Sequence, residues 1–299
     1  MKIRQIGEFG LIKDIKKMAG NGEGVVKGIG DDCAVVEFGR DKYLLLTTDM
    51  LIQDVDFLLR DDPYLIGSKS ISASISDIAA CGGLPAYALV SLGMPAETES
   101  GFVHDLYRGM GFWAKKHGIN IIGGDMSKAD KIVINISLAG FVEKKKLVLR
   151  SGARAGDIIF VTGMLGAASL DPRRLCVIPR LEEARYLAAN FKMGAMIDIS
   201  DGLLQDLKHV CDESGVGAVV YQDAVPVYKK GGDFIREVSR GEDFELLFTL
   251  PLKEARKLGS GSFINYTPIG NVVDKKYGLR MIDDNCKEKV IKPSGFRHF

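Results

Sequence analysis

The sequence has few of the residues from which soft-metal sites and disulfide frameworks are built. It contains 4 histidines and 5 cysteines, and no two cysteines form a Cys-x-x-Cys pair. Because structural zinc sites use clustered cysteine and histidine ligands, this composition argues against zinc. Scattered cysteines argue equally against a disulfide framework and indicate a reducing, cytoplasmic setting.

The chain also lacks an excess of charge of one sign and lacks long apolar runs. Its formal net charge is +1, which argues against a broad electrostatic surface for nucleic acid. No apolar run approaches the length needed to cross a membrane, and the first residues lack the apolar stretch of a signal peptide. With 46% hydrophobic and 26% charged residues, the sequence predicts a soluble, folded, intracellular protein without nucleic-acid or membrane partners.

Several familiar catalytic motifs are absent from the sequence. There is no G-x-x-x-x-G-K-[ST] phosphate loop, no protein-kinase signature and no G-x-G-x-x-G after a predicted strand. A G-x-S-x-G elbow and an H-E-x-x-H pair are absent too. These absences disfavour the common nucleotide-binding and hydrolase folds.

What the sequence does contain is a series of short acidic motifs at predicted strand ends and helix starts. They are Gly28–Asp32, Thr47–Asp49, Ser76–Asp77, Gly123–Asp125 and Asp198–Asp201. Such positions are where α/β proteins place ligands. Two unit charges about 4 Å apart repel by roughly 4 kcal/mol at an effective dielectric near 20, so converging aspartates must be protonated or share cations. Oxygen ligands of this kind predict Mg²⁺.

Each motif taken singly has a structural alternative. Asp beside Gly is typical of a turn, and Ser200 and Asp201 are placed to cap the helix predicted from Asp201 to Glu213. Phe102, Leu106, Met110 and Trp113 recur at helical spacing, which favours core packing. Arg150 lies in a basic, glycine-containing segment, 143–155, that is either a solvated linker or an anion-binding edge.

Strands and helices are mixed in both halves of the chain, which predicts an α+β or α/β architecture. The 299 residues suffice for two domains. We place the boundary at the basic segment, giving domains 1–142 and 143–299. Pro63 opens a predicted helix rich in small residues that runs to Cys81.

In combination and order, these motifs resemble the thiamine-monophosphate kinase family of the aminoimidazole-ribonucleotide synthetase superfamily. The resemblance extends from Gly7–Phe9 to Gly295–Phe299. The motifs that carry it are Gly28–Asp32, Thr47–Asp49, Ser76–Ala80, Gly123–Asp125, Arg150–Ala153, Asp198–Gly202 and Gly241–Leu246.

The resemblance implies a two-domain fold whose N-terminal sheet, in an ATP- and Mg-binding dimerisation domain, forms a barrel across a homodimer. It implies transfer of phosphate from ATP to thiamine phosphate with several Mg²⁺ ions. The implied metal ligands are Asp31, Thr47, Thr48, Asp49, Asp77, Asp125, Asp198 and Asp201, of which Asp77, Asp125 and Asp201 are the implied catalytic residues. The implied ATP contacts are Tyr107, Gly124, Asp125, Arg150 and Ser200. The implied substrate contacts are Asp56, Glu242 and Phe296.

One position departs from the family pattern. Where the family has a histidine before a phenylalanine, this chain has Asp56 before Phe57. An ionised Asp56 cannot donate to a substrate phosphate, although it would favour a cationic thiazolium; the alternative is that it faces solvent. Two other functions therefore stay open: a superfamily enzyme acting on a different phosphate or purine precursor, and a nucleotide or metal binder without turnover.

Overall fold

The computed structural model describes residues 2–167, 175–228, 233–258 and 264–296. Residues 297–299, the end of the last motif quoted above, lie outside the described part. No described helix combines the length and the apolar composition that crossing a bilayer requires.

The first half of the described chain forms a mixed sheet in the order β1-β2-β3-β6-β4-β5. Its strands are β1 (Val25–Lys27), β2 (Ala34–Phe38), β3 (Lys42–Ile52), β4 (Leu84–Met94), β5 (Asn120–Lys128) and β6 (Val133–Glu143). Its helices are α1 (Ile3–Ile6), α2 (Glu8–Ala19), α3 (Pro63–Ala80) and α4 (Ser100–His117). All pairs are antiparallel except β4 and β5, which are parallel and joined through α4.

The second half forms another mixed sheet in the order β13-β12-β9-β11-β7-β10-β8. Its strands are β7 (Ile158–Thr162), β8 (Met196–Asp198), β9 (Val216–Tyr221), β10 (Leu246–Leu250), β11 (Tyr266–Asp274), β12 (Leu279–Ile282) and β13 (Glu288–Val290). Its helices are α5 (Leu181–Asn190), α6 (Leu203–Ser214), α7 (Phe234–Val238) and α8 (Leu252–Ala255). The predicted mixture of strands and helices in each half is confirmed.

Helix α3 is the buried centre of the molecule. It begins at Pro63, as predicted, and the Asp62 carboxylate caps it by accepting the Tyr64 N–H at 2.9 Å. Its small residues let α4 approach closely: a Cβ at Gly67 would lie 2.0 Å from the Leu106 carbonyl oxygen. Packing against α3, the α4 stripe buries Leu106, Met110 and Trp113, which confirms the core interpretation.

Three elements differ from the sequence prediction in ways that matter for the site. Strands β3 and β5 are longer than predicted, so Thr47–Asp49 and Gly123–Asp125 lie inside strands rather than at their ends. The reason is that β3 pairs with β6 over its whole length, from Lys42 opposite Glu143 to Ile52 opposite Val133. In addition, α6 begins at Leu203 with Gly202 as its N-cap, so the capping interpretation of Ser200 and Asp201 is wrong.

Candidate active site

Three carboxylates that are distant in sequence converge between the two halves. Asp32 precedes β2, Asp77 lies in the last turn of α3, and Asp198 ends β8. One carboxylate oxygen of each lies within 4.8 Å of the others. We call Asp32, Asp77 and Asp198 the inner cluster. The convergence that the sequence suggested is therefore present for the motifs Gly28–Asp32, Ser76–Asp77 and Asp198–Asp201.

Hydroxyl groups from β3 and α3 hold the inner cluster and its neighbour Asp49. Thr47 Oγ1 donates to Asp77 at 2.5 Å, and Ser76 Oγ donates to Asp198 at 2.7 Å. Ser74 Oγ donates to Asp49 at 2.8 Å, and the carboxyl groups of Asp49 and Asp77 are themselves hydrogen-bonded. The serines of α3 thus orient acids that lie on β3 and β8.

Burial makes the ionised form of these acids unfavourable. Desolvation, followed by repulsion from Asp32, raises the pKa of Asp198 to about 8. Desolvation, followed by repulsion from Asp49 and Asp198, raises the pKa of Asp77 well above its usual range. Without a cation, the cluster therefore retains protons near neutral pH.

Arg150 supplies counter-charge at one edge of the inner cluster. Its Nη2 and Nε donate to Asp32 Oδ1 at 2.6 and 3.2 Å, and its backbone N–H lies 3.2 Å from both Asp31 oxygens. The linker interpretation of Arg150 is therefore wrong. Desolvation, only partly offset by Arg150, still raises the pKa of Asp31 to about 7.

The inner cluster fits a hard divalent cation. Among the described residues, Asp32 Oδ2 and Asp198 Oδ1 are buried and have no hydrogen-bond partner. Because an unpaired buried carboxylate oxygen is costly, both atoms have ligand capacity that the protein leaves unused. The donor atoms are all oxygens, which are the ligands that Mg²⁺ prefers.

Sequence reasoning chose Asp31 as the ligand of the Asp31-Asp32 pair, but the structure brings Asp32 into the cluster. The Asp31 side chain lies beside the Arg150 N–H and 3.6 Å from Lys27 Nζ. Asp32 was the missed residue. Ligand atoms of Asp31 and Asp32 lie within 4.8 Å of each other, and the sequence carries no signal that says which of the two meets Asp77 and Asp198.

Two other predicted ligands lie on the opposite face of the first sheet. Side chains alternate along β3, so Thr47 and Asp49 face α3 (the inner face) whereas Thr48 faces outward (the outer face). Thr48 bonds Asn135, and Asn135, Ser91 and Asp125 are neighbours in register across β6, β4 and β5. Asp125 is exposed and accepts from Ser127 Oγ at 3.1 Å. The monomer therefore does not bring Thr48 or Asp125 into the inner cluster.

Gly124 has a clear structural requirement in addition to its predicted ATP contact. A Cβ there would lie 1.7 Å from the Val90 carbonyl oxygen, so only glycine permits β5 to lie this close to β4. Tyr107, also a predicted ATP contact, is half-buried on α4 and packs against the core. Burial raises the pKa of its phenol.

A second acidic group lies at the start of α6. Ligand atoms of Asp201, Asp206 and His209 lie within 4.8 Å of one another. The Asp206 carboxylate accepts the N–H groups of Asp201 and Gly202 at 3.2 and 3.0 Å, so it closes the turn that carries the Asp-Gly motif. Asp201 itself keeps a partly exposed carboxylate, 3.8 Å from His209 Nε2.

The predicted substrate residues gather beside this turn. The Glu242 N–H donates to the Ser200 carbonyl at 2.7 Å, and the Phe296 N–H donates to the Asp201 carbonyl at 2.9 Å. Glu242 Oε1 also accepts from Lys69 Nζ at 2.5 Å. Ser200, Asp201, Glu242 and Phe296 therefore form one neighbourhood, although they span almost a hundred residues.

Asp56, the third predicted substrate residue, makes hydrogen bonds within its own part of the fold. Its carboxylate accepts the Ile52 N–H at 2.7 Å and closes the turn after β3, so it does not simply face solvent. Its backbone carbonyl accepts from Lys69 Nζ at 3.3 Å. The side chain is thus used to hold its own loop.

Two cavities adjoin these groups. One of about 550 Å³ opens on the outer face beside Thr48 and apolar strand residues, and its wall also includes Asp31, Asp32 and Thr47. The other, of about 1150 Å³, lies between α2 and α6 and includes Asp31, Arg150, Asp201 and His209 in its wall. Both volumes are sufficient for small phosphorylated ligands.

Comparison with known proteins identifies the family models and relatives that this chain matches. Residues 30–142 match "AIR synthase related protein, N-terminal domain" and residues 165–280 match "AIR synthase related protein, C-terminal domain". The chain is 34% identical to a thiamine-monophosphate kinase of Aquifex aeolicus, with 100% of both chains covered. It is 31% identical to that of Bacillus subtilis, covering 98% of this chain and 99% of the relative.

Solved structures give the same result. The structure described as "AaThiL complexed with AMPPCP and TMP" superposes with a TM-score of 0.87 at 34% identity, covering 100% of this chain and 99% of the other. The hydrogenase maturation protein HypE in complex with ATP, at 18% identity and a TM-score of 0.70, shares the fold alone. Full-length identity and superposition together show that the chain belongs to the thiamine-monophosphate kinase family, within the AIR synthase related proteins.

Proposed function

We propose that this protein phosphorylates thiamine phosphate to thiamine diphosphate with ATP. The observation that carries the proposal is the inner cluster, since it places buried, unsatisfied carboxylate oxygens where two polyanionic substrates have to be brought together. The solved relative bound to AMPPCP and TMP supports the same pair of substrates.

Mg²⁺ is the proposed metal, and it would be held by the inner cluster with Asp49 and Thr47. Asp31, Thr48 and Asp201 remain proposed ligands at the margins, where the two cavities reach them. Asp125, on the outer face, remains a proposed ligand as well. When bound, Mg²⁺ neutralises phosphate charge and lowers the repulsion between donor and acceptor.

The protein's own residues bind and align the two substrates. Arg150, held between Asp31 and Asp32, is proposed to direct its cationic edge to the ATP phosphates, with Ser200, Gly124, Asp125 and Tyr107 as the other ATP contacts. Glu242 is proposed to pair with the cationic thiazolium, and the Phe296 ring, 41% exposed, to pack on the heterocycle. Asp56 supports the acceptor side through its loop.

We propose direct in-line transfer. An acceptor phosphate oxygen, already anionic near neutral pH, attacks the γ-phosphorus; the bond to the β,γ-bridging oxygen breaks, and ADP leaves with that electron pair. Such transfer depends on alignment and charge stabilisation, so neither a strong base nor a phosphoenzyme is required. A chiral [γ-¹⁶O,¹⁷O,¹⁸O]ATP should give inversion at phosphorus, whereas net retention would refute a single displacement.

Residues 1–142 are proposed to form the dimerisation and ATP/Mg domain, and residues 143–299 the C-terminal α/β domain. Leu46, Tyr87, Leu89 and Ile122 expose 42 to 61% of their surface on the outer face of the first sheet. Contiguous exposed apolar surface is typical of an interface, which supports a homodimer with the two sheets face to face. Light scattering should give twice the chain mass, and Leu89→Asp should give the monomer.

The decisive experiment is purified protein with ATP, Mg²⁺ and thiamine phosphate, followed by chromatography for thiamine diphosphate. A panel of other phosphorylated acceptors and purine precursors, read by ADP release, tests the superfamily alternative. Tight Mg-ATP binding without turnover of any acceptor would instead identify a binding protein.

The five free cysteines support a reducing compartment, the cytoplasm in our proposal.

A further inference from the structure

Lys69 is a buried lysine that is not among the residues assigned to the proposed reaction. It lies on α3 with 2% of its side chain exposed, and its Nζ donates to Glu242 Oε1 at 2.5 Å and to the Asp56 carbonyl at 3.3 Å. Burying an ammonium group is costly unless it is paired. The bonds that Lys69 makes therefore indicate what it is there to hold.

Its first partner belongs to a strained loop. Glu242 has a φ of +56° and Phe244 a φ of +50°, a region that non-glycine residues rarely adopt. The backbone of this loop is fixed by the Glu242 N–H donating to Ser200 and the Phe244 N–H donating to Ile199. Those bonds set where residue 242 lies, and the bond from Lys69 orients its carboxylate.

Its second partner belongs to the other half of the chain. Because the Asp56 carboxylate is engaged with the Ile52 N–H, the backbone carbonyl of Asp56 is what meets Lys69. One ammonium group thus connects the turn after β3 to the loop before β10. Both segments carry residues proposed to face the acceptor substrate.

We infer that Lys69 is a positioning residue for the acceptor: it orients the Glu242 carboxylate against the Asp56 turn and so sets affinity for the thiazolium-bearing substrate. This inference rests on the proposed function. Lys69 acts through Glu242, so its loss affects acceptor binding much more than ATP binding.

The test is steady-state kinetics of Lys69→Met, Glu242→Gln and the double variant, with each substrate varied in turn. The control is Arg185→Met. Arg185 on α5 also connects the two halves, because its guanidinium makes a bidentate pair with Glu143 at the end of β6, at 2.8 and 3.0 Å. Loss of a charge-assisted hydrogen bond predicts that Lys69→Met raises KM for thiamine phosphate by at least about tenfold. KM for ATP should change by less than about twofold, as should both constants in the control.

The double variant separates positioning from general damage. In the Glu242→Gln background, adding Lys69→Met should change KM for thiamine phosphate by less than about twofold. The inference would be overturned if Lys69→Met raised KM for thiamine phosphate equally in the wild-type and Glu242→Gln backgrounds. An equal rise in KM for thiamine phosphate and KM for ATP would overturn it too. Should Lys69→Met fail to fold, an unchanged acceptor KM in Glu242→Gln overturns it equally. Wild-type protein inactive on thiamine phosphate would refute the proposed function and the inference together, whereas active wild type with unchanged variants would refute the inference alone.

Discussion

The two faces of the first sheet hold their predicted metal ligands in opposite ways. On the inner face, Thr47 and Asp49 meet α3 and the inner cluster, where acids are buried and retain protons. On the outer face, Thr48 and Asp125 lie among exposed apolar side chains. Thr47 and Thr48 are consecutive residues of β3, and because side chains alternate along a strand, the two face these different environments.

A carboxylate on the inner face and a carboxylate on the outer face therefore affect the stability of the fold differently. An inner-face carboxylate is desolvated and repelled by its neighbours, so its ionisation costs free energy that a bound cation would offset. An outer-face carboxylate is hydrated, so the fold is indifferent to its charge. Substitutions on the two faces should therefore separate activity from metal-free stability.

The largest effect is expected for Asp77→Asn on the inner face. Turnover should fall by about 10²- to 10³-fold, because a preorganised charge at the reacting phosphates is removed. The midpoint temperature of thermal unfolding, measured with a chelator at pH 8, should be no lower than for wild type. The reason is that Asn lacks the charge that burial penalises. Asp105→Asn, on the exposed surface of α4, is the control. Near-normal turnover of Asp77→Asn would refute the proposed role of Asp77 as a metal ligand in the reaction.

Next comes Arg150→Met, which leaves Asp32 buried without its guanidinium. Breaking a buried ion pair in this way should lower the free energy of unfolding by about 3 kcal/mol in urea titrations with a chelator. Arg108→Met, whose ion pair with Asp105 is exposed, should change it by less than about 0.5 kcal/mol. Equal effects of the two variants would show that the Asp32 pair is not special.

Asp125→Asn tests the outer face. Turnover should collapse by about 10²-fold, because Asp125 is proposed to meet metal and ATP. The free energy of unfolding without metal should stay within about 0.5 kcal/mol of wild type, because the side chain is exposed. A large loss of stability would contradict the contrast between the faces.

The smallest effect, taken over a single pH unit, is a pH dependence of stability. The native state holds a proton on Asp198 up to about pH 8, whereas the unfolded chain releases it near 3.8. The native state therefore binds more protons, and metal-free stability should fall as pH rises between these values, by at most about 1.4 kcal/mol per pH unit. Mg²⁺ should consequently raise Tm more at pH 8 than at pH 6, and Asp198→Asn should flatten both trends.

Much of this molecule could be predicted from the sequence, because local signals were strong. Pro63 and the small residues of α3 indicated its start and packing, and the α4 stripe indicated its buried face. The choice between Asp31 and Asp32, and between the two faces at Thr47 and Thr48, could not be predicted in the same way. Those outcomes depend on turn direction and strand register, which tertiary pairing with β6 decides. Lys69 gave no signal because a lysine among small residues resembles a solvated position.

Helix α3 has one further consequence. It presents Lys69 to Glu242 and, eight residues later, Asp77 to Asp32 and Asp198. At about 1.5 Å of rise per residue, the two attachment points stand about 12 Å apart along a rigid axis. A single helix therefore sets the axial separation between the residue that holds Glu242 and the residue that meets Asp32 and Asp198.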